Sequence, residues 1–332
     1  MKNIWRSLQR PIFILAPMDD VTDTVFRQMI LTTHKPDLFF TEFTNVDGML
    51  SAEGNHIVKK KLKFDPVEHP IIAQVWGNNP DHFYKSSKII KDLGFDGIDI
   101  NLGCPIPDVV KKGCGGGLIG NIKLSTEIVE AALEGSHHMP ISVKTRLGIK
   151  KIETEDWVQK LLSLPLSAIT IHARTVSEMS KGPAHWDEIK KAVEVRNSLK
   201  KETLIIGNGD VKKREEGLLR IKETGADGIM IGRGIFHDVY AFATINNKPV
   251  EISVERRLEL LERHVKLYQK VWAHSKPYAN LKKYFKIYIN GFDGASLMRV
   301  KFMETHNFEE VFSLLKSIRF HTQIIIDKKR TI

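Results

Sequence analysis

A chain of 332 residues, 42% hydrophobic and 27% charged, can bury one large core plus a small one, which excludes a disordered or fibrous protein. Its 2 cysteines cannot staple a chain this long and show no zinc-type spacing, which argues against a disulfide scaffold or a metal site and for a reducing cytoplasm. The formal net charge of +10 is uneven: residues 251–332 hold 16 Lys and Arg against 9 Asp and Glu, while residues 1–250 hold 34 against 31. A polyanion, RNA or DNA first, is the expected partner of the basic C-terminal part, and a solvated basic surface is the plain alternative.

The first 17 residues hold one apolar run, Ile12–Ala16, too short for a signal-peptide core or a membrane span. No run elsewhere is long enough either, so no membrane association is expected. Eight near-continuous apolar runs read as buried parallel strands: Ile12–Ala16, Leu38–Glu42, Ile71–Trp76, Gly97–Asn101, Ile141–Thr145, Ala168–His172, Thr203–Gly207 and Gly228–Ile231. Helical periods separate them, as in Asp81–Leu93, Ser125–Leu133, Glu155–Leu164, Asp187–Leu199 and Lys212–Thr224. Strand then helix, eight times over, predicts an α/β fold, a (β/α)8 TIM barrel. An open doubly wound sheet is the alternative, but its glycine-rich first turn is missing after Ile12–Ala16. Past Ala243 the texture changes. Asn246–Pro249 reads as a polar turn, and Val254–Ser275, Tyr278–Ile289, Ser296–Glu304 and Phe308–Phe320 read as helices. The expected division is a barrel over 1–245 and a basic helical-bundle domain over 246–332, with a charged tail at Asp327–Ile332.

In a barrel, function sits on the loops after the strands. The first run ends in Ala16-Pro17-Met18-Asp19, whose backbone and apolar side chain suit a flat ligand, with Asp19 or Thr22 available to cap the next helix. Gln74 is an amide on an apolar strand, fit either for a heterocycle's carbonyl and N–H edge or for a satisfied core position. The fourth run delivers Asn101-Leu102-Gly103-Cys104-Pro105. There Cys104 is either a reactive thiol or a small residue filling a turn. The glycines of Gly113-Cys114-Gly115-Gly116-Gly117 permit a mobile lid over that thiol or a close backbone approach, and Cys114 reads as an incidental small residue. Lys144 with Arg146, and His172 with Arg174, put cationic groups at two strand ends, where each needs an anion or a polarised carbonyl. Asn208-Gly209-Asp210 and Gly232-Arg233-Gly234 end the last two runs, the usual place for a phosphate in barrels. A phosphate, a flat heterocycle and a thiol together fit flavin mononucleotide better than a sugar phosphate.

These pieces, with Val21-Thr22-Asp23, Phe26-Arg27, Thr41-Glu42, Leu147-Gly148 and Met230-Ile231, run in order from residue 12 to about 236, and the chain resembles the bacterial tRNA-dihydrouridine synthases. Lys282-Lys283-Tyr284-Phe285 and Gly291-Phe292 extend the resemblance more loosely into the helical part. The resemblance implies an FMN-dependent enzyme that reduces the C5–C6 bond of uridines in tRNA, with NADPH or NADH as reductant. By motif, Pro17, Met18 and Asp19 line the flavin ring, Gln74 and Lys144 address its pyrimidine edge, and His172 lies beside it. Asn208, Gly209, Asp210, Gly232 and Arg233 hold its phosphate. Cys104 is the general acid, and Asn101, Arg146 and Arg174 contact the target base or its phosphate. A monomer acting on tRNA, with no metal, is expected. Leu102 stands where the family usually has Met, Ala173 where it has Gly, and Ser180-Lys181-Gly182-Pro183 lacks a common aromatic. A flavin barrel acting on a free pyrimidine, and a non-catalytic RNA-binding protein, are the competing readings. The basic helical part speaks against the first, and Cys104, Lys144 and the phosphate loops against the second.

Overall fold

The computed structural model describes residues 3–243 and 252–318. Nine strands form one parallel sheet: β1 (Ile12–Leu15), β2 (Phe39–Phe40), β3 (Thr44–Asn45), β4 (Ile71–Trp76), β5 (Gly97–Leu102), β6 (Ile141–Arg146), β7 (Ala168–His172), β8 (Leu204–Asn208) and β9 (Gly228–Ile231). The order β1-β9-β8-β7-β6-β5-β4-β2, with a bridge from Ile14 to Leu38, brings the sheet round into a barrel. Helices follow most of the strands, as the sequence predicts, with ends shifted by up to about three residues. The second apolar run departs most. Only Phe39–Phe40 pairs as a strand, and Thr44–Asn45 pairs separately with Val75–Trp76. The chain turns between them because the Thr41 and Thr44 hydroxyls both donate to the Glu42 carbonyl.

The near-continuous apolar strands serve two cores at once. Phe13, Leu15, Ala73, Ile98, Ile100, Val143, Ile205 and Ile229 face outward to the helices. Ile12, Ile14, Leu38, Phe40, Ile72, Leu204, Ile206 and Met230 face inward and fill the barrel floor. Trp5, on the short helix Ile4–Ser7, plugs that floor, edge-on to Phe40 with centroids 6.3 Å apart. Above this floor the inward positions turn polar. Gln74, Asp99, Asn101, Ser142, Lys144, Thr170, His172 and Asn208 occupy the upper barrel.

Helices Val254–Trp272, Phe285–Tyr288, Ala295–Glu304 and 308–318 follow the barrel. Tyr278–Ile289 is not one helix: a 3₁₀ segment covers Tyr278–Tyr284 before the short helix begins. Tertiary anchors accompany that tight winding. Tyr284 Oη donates to the Val21 carbonyl at 2.7 Å, Lys283 pairs with Asp20, and Tyr278 Oη meets Thr305 Oγ1 at 2.6 Å. Phe26 stacks on Tyr284 at 5.3 Å, and Lys276 reaches Asp23 at 2.7 Å. The helical part is thus seated on the first strand-to-helix turn of the barrel. The expected turn Asn246–Pro249, the last residues of the fourth predicted helix and the charged tail lie outside the described residues.

Candidate active site

A cavity of about 1130 Å³ opens at the mouth, where the strands end. Pro17, Met18, Lys144, His172, Asn208, Gly209, Asp210, Gly232 and Arg233 line it, nine of the residues predicted to hold a cofactor. Gly209 has φ +136, and a Cβ there would come 2.9 Å from the Ala184 Cβ. A Cβ on Gly232 would stand 3.5 Å from the Ala16 Cβ and 3.9 Å from Met18 Sδ, across the cavity wall. Bare backbone at both positions leaves space that a side chain would take. Met18 is fixed by Thr22, whose hydroxyl accepts from Met18 N at 2.9 Å. Asp23, rather than Asp19 or Thr22, caps the next helix, accepting from Phe26 N at 3.0 Å. Asp19 stands outside the cavity and pairs with Lys61.

Lys144 Nζ donates to Asn208 Oδ1 at 3.2 Å, and Asn208 Nδ2 donates to the Met230 carbonyl at 2.7 Å. Burial, then the nearby Arg146, lowers the Lys144 ammonium to a pKa of about 8, against the pull of Asp99 and Cys104. His172 is pushed far below its ordinary value by burial and by Lys144, Arg146, Arg174 and Arg233, so it is neutral. Its Nε2 lies 3.2 Å from Arg174 Nη1, which can only donate, so the ring proton sits on Nδ1.

The remaining predicted residues form a second group. Asn101 Oδ1 accepts from Gly103 N at 3.1 Å and Cys104 N at 2.9 Å, which shapes the turn that carries the thiol. Burial raises the Cys104 thiol above its usual value, and the Ile106 amide and Arg146 only partly oppose it. The glycine run is packed against the thiol's turn. Gly115–Leu118 is a buried 3₁₀ turn, with Gly116 N donating to the Cys104 carbonyl at 3.0 Å. A Cβ on Gly115 would sit 2.8 Å from the Cys104 Cβ, and one on Gly117 2.5 Å from the Val110 carbonyl. Close approach is what the run provides.

Gln74 is fully buried, with its amide bonded to Asp99 and Asn101. Arg146 donates to the carbonyls of Gly103 at 2.8 Å, Thr175 at 2.9 Å and Met179 at 2.7 Å. Arg174 donates to Lys181 and Gly182 carbonyls and to Asp210 Oδ2 at 2.6 Å. Although burial pushes it up, the Arg174 and Ala184 hydrogen bonds hold the Asp210 carboxyl below its ordinary value. Both arginines therefore brace the loop 175–184 beside the mouth.

Sequence reasoning missed Asp99, whose partners lie on neighbouring strands. It also missed Lys212, Phe236, Lys286, Asn290 and Arg299, which complete the cavity wall. The last three come from the helical part, with Lys286 Nζ 4.9 Å above the Phe236 ring. Their neighbourhood in the basic region was the one available signal.

Comparison with known proteins agrees with this arrangement. The family model Dus, dihydrouridine synthase, matches residues 14–324. The chain is similar to a probable tRNA-dihydrouridine synthase of Staphylococcus aureus (strain Mu50), 41% identical over 330 residues, 99% of this chain and 98% of that protein. It is also similar to a probable tRNA-dihydrouridine synthase 2 of Bacillus subtilis (strain 168), 42% identical over 316 residues, 95% and 96% of the two chains. Among solved structures, a morphinone reductase variant in complex with tetrahydroNAD superposes with a TM-score of 0.51 at 12% identity, covering 73% of this chain and 89% of that one. At that identity the likeness bears on the barrel fold alone.

Proposed function

The chain belongs to the dihydrouridine synthase family, and from that premise we propose that it reduces the C5–C6 double bond of uridines in tRNA. The observation that carries the reading is a buried, protonated thiol on a rigid turn next to a cationic, glycine-lined mouth.

FMN is the cofactor proposed, with NADPH or NADH as the source of electrons. The residues fit the group. Gly209, Gly232 and Arg233 suit its phosphate, with Asn208 and Asp210 beside them, and Pro17 and Met18 give a flat apolar wall; Asp19, proposed for the same wall, follows them outside the cavity, paired with Lys61. When bound, the flavin supplies hydride to C6 of the uracil. The chain's own residues do the rest. Cys104 holds a proton at Sγ for C5, and its raised pKa keeps it protonated at neutral pH. Lys144, charged at neutral pH, supports negative charge on the pyrimidine edge, and neutral His172 offers its Nδ1 proton there. Gln74 has one N–H beyond its Asp99 bond for the same edge. Asn101 shapes the Cys104 turn, and Arg146 and Arg174 present the neighbouring loop to the target nucleotide.

Residues 1–245 are proposed as the catalytic barrel and 246–332 as the tRNA grip, acting in the cytoplasm. A uridine must leave its stack to reach the mouth, and Lys286 and Arg299 on the rim supply cations for the phosphates around it. The test is direct. Purified protein with FMN, a reduced nicotinamide and unmodified tRNA is expected to give dihydrouridine by nucleoside mass spectrometry. Flavin oxidation without dihydrouridine would refute the substrate. A tRNA affinity that does not fall with salt would refute the phosphate grip.

A further inference from the structure

A buried carboxylate that no motif singles out lies at the head of a chain of hydrogen bonds ending on the reacting turn. Asp99 is wholly buried on β5, and strand register sets it between Gln74 on β4 and Ser142 on β6. Ser142 Oγ donates to Asp99 Oδ1 at 2.6 Å. Gln74 Nε2 donates to Asp99 Oδ2 at 2.7 Å. Asn101 Nδ2 donates to Gln74 Oε1 at 3.1 Å, and Asn101 Oδ1 accepts the Gly103 and Cys104 amides at 3.1 and 2.9 Å.

The polarity of this chain is forced from both ends. Burial pushes the Asp99 carboxyl up to about 6, against the Ser142 and Gln74 hydrogen bonds and Lys144, so at neutral pH it is ionised and can only accept; Gln74 must turn its NH₂ toward Asp99 and its oxygen toward Asn101. Backbone amides can only donate, so Asn101 must turn its oxygen toward Cys104 and its NH₂ toward Gln74. The two requirements meet at the Gln74–Asn101 bond and agree. An amide side chain flipped anywhere along the row would set two donors or two acceptors face to face.

We propose that Asp99 is a positioning residue: through Gln74 and Asn101 it sets the orientation of the amide that holds the Cys104 turn, and so the placement of the thiol. It does not touch the uracil. The proposal rests on Cys104 as the proton donor only for its catalytic consequence, because the turn itself is read chemically.

The test exchanges acid and amide. In a Cys114→Ser background Cys104 is the single thiol, and the pH profile of its alkylation by iodoacetamide in the full chain reports the turn. Gln74→Glu sets two carboxylates opposite each other, while Asp99→Asn can turn its NH₂ to the Ser142 hydroxyl and its oxygen to Gln74, which keeps the row. Gln74→Glu is expected to shift the alkylation rate at fixed pH by about 3- to 10-fold, a usual size for one buried network bond, and Asp99→Asn by less than about threefold. In the double variant, the amide introduced at position 99 donates to the carboxylate introduced at position 74, and that carboxylate still accepts from Asn101. The double variant is therefore expected to lie nearer the parent than Gln74→Glu. Ser142→Ala perturbs the same carboxylate outside the row and is expected to leave the profile within about twofold. Single-turnover reduction of tRNA is expected to follow the same order.

A Gln74→Glu profile equal to the parent's would overturn the proposal, as would a double variant no nearer the parent than Gln74→Glu. If Asp99→Asn does not fold, Gln74→Glu against the double variant decides: recovery supports the row, and no recovery ends it. Alkylation that follows the order while dihydrouridine never forms would instead refute the proposed function and leave the positioning intact.

Discussion

On the β4–β7 side of the mouth the groups that shape the thiol turn and the neighbouring loop are already bonded to protein. Gln74 is held by Asp99 and Asn101, the Cys104 turn by Asn101, and Arg146 and Arg174 by loop carbonyls. On the β8–β9 side, Gly209, Gly232 and Arg233 face an open cavity of about 1130 Å³. The difference separates two tasks. A group that must meet a reacting carbon within a fraction of an ångström is fixed in advance by its own neighbours. A cradle that must admit a phosphate keeps bare amides and exposed cations, Arg233 among them, for it. Lys144 stands where the two sides meet, bonded to Asn208 on β8 and attracted by Asp99 on β5.

Damage to the bonded side should show in rate, and damage to the open side in cofactor retention. Cys104→Ala is the largest expected effect: a loss of at least about 100-fold in single-turnover tRNA reduction, the usual scale for removing a general acid. Flavin content, read from the absorption spectrum, is expected to be unchanged, and a matching loss of flavin would blur the division. Arg233→Ala, on the open side, is expected to weaken FMN by about 10- to 100-fold, since a charged hydrogen bond contributes about 1.5–3 kcal/mol. Fluorescence titration reads it, and the alkylation rate of Cys104 should stay at its parental value.

Lys144 tests the boundary. Its ammonium is charged below a pKa of about 8 and lost above it, so FMN affinity is expected to fall severalfold as the pH rises through 8 to 9. Lys144→Met is expected to bind weakly at all pH values, with that limb abolished. A limb that persists in the variant would assign the titration elsewhere. Arg174→Lys has the smallest expected effect on chemistry. One ammonium cannot reach Lys181, Gly182 and Asp210 together. Faster proteolysis of the loop 175–184 is expected, with FMN affinity changed by less than about threefold. Unchanged proteolysis would remove the bracing role.

The division could be read only partly along the chain. Pro17-Met18, Cys104, Lys144, His172, Gly209 and Arg233 each stand at the end of an apolar run, so local pattern and barrel topology place them. Asp99 shows no such signal. Its role depends on β4, β5 and β6 lying in one register, which no single stretch encodes. Arg146 and Arg174 carry the right charge for a substrate contact, but their partners are carbonyls on a loop whose path is tertiary. The glycine run permits close approach, but what it approaches, the Cys104 Cβ against Gly115, is set by tertiary packing. Lys286 and Arg299 reach the mouth because the helical part packs beside the turn after β9, with Lys286 over Phe236, which helical periodicity does not reveal.

The most direct measurement is the dihydrouridine content of tRNA from cells that lack the gene, with add-back of the parent chain and of Cys104→Ala. Dihydrouridine is expected to be lost from at least one tRNA position, restored by the parent and not by the variant. Unchanged dihydrouridine at every position, in cells with no second synthase, would contradict the account.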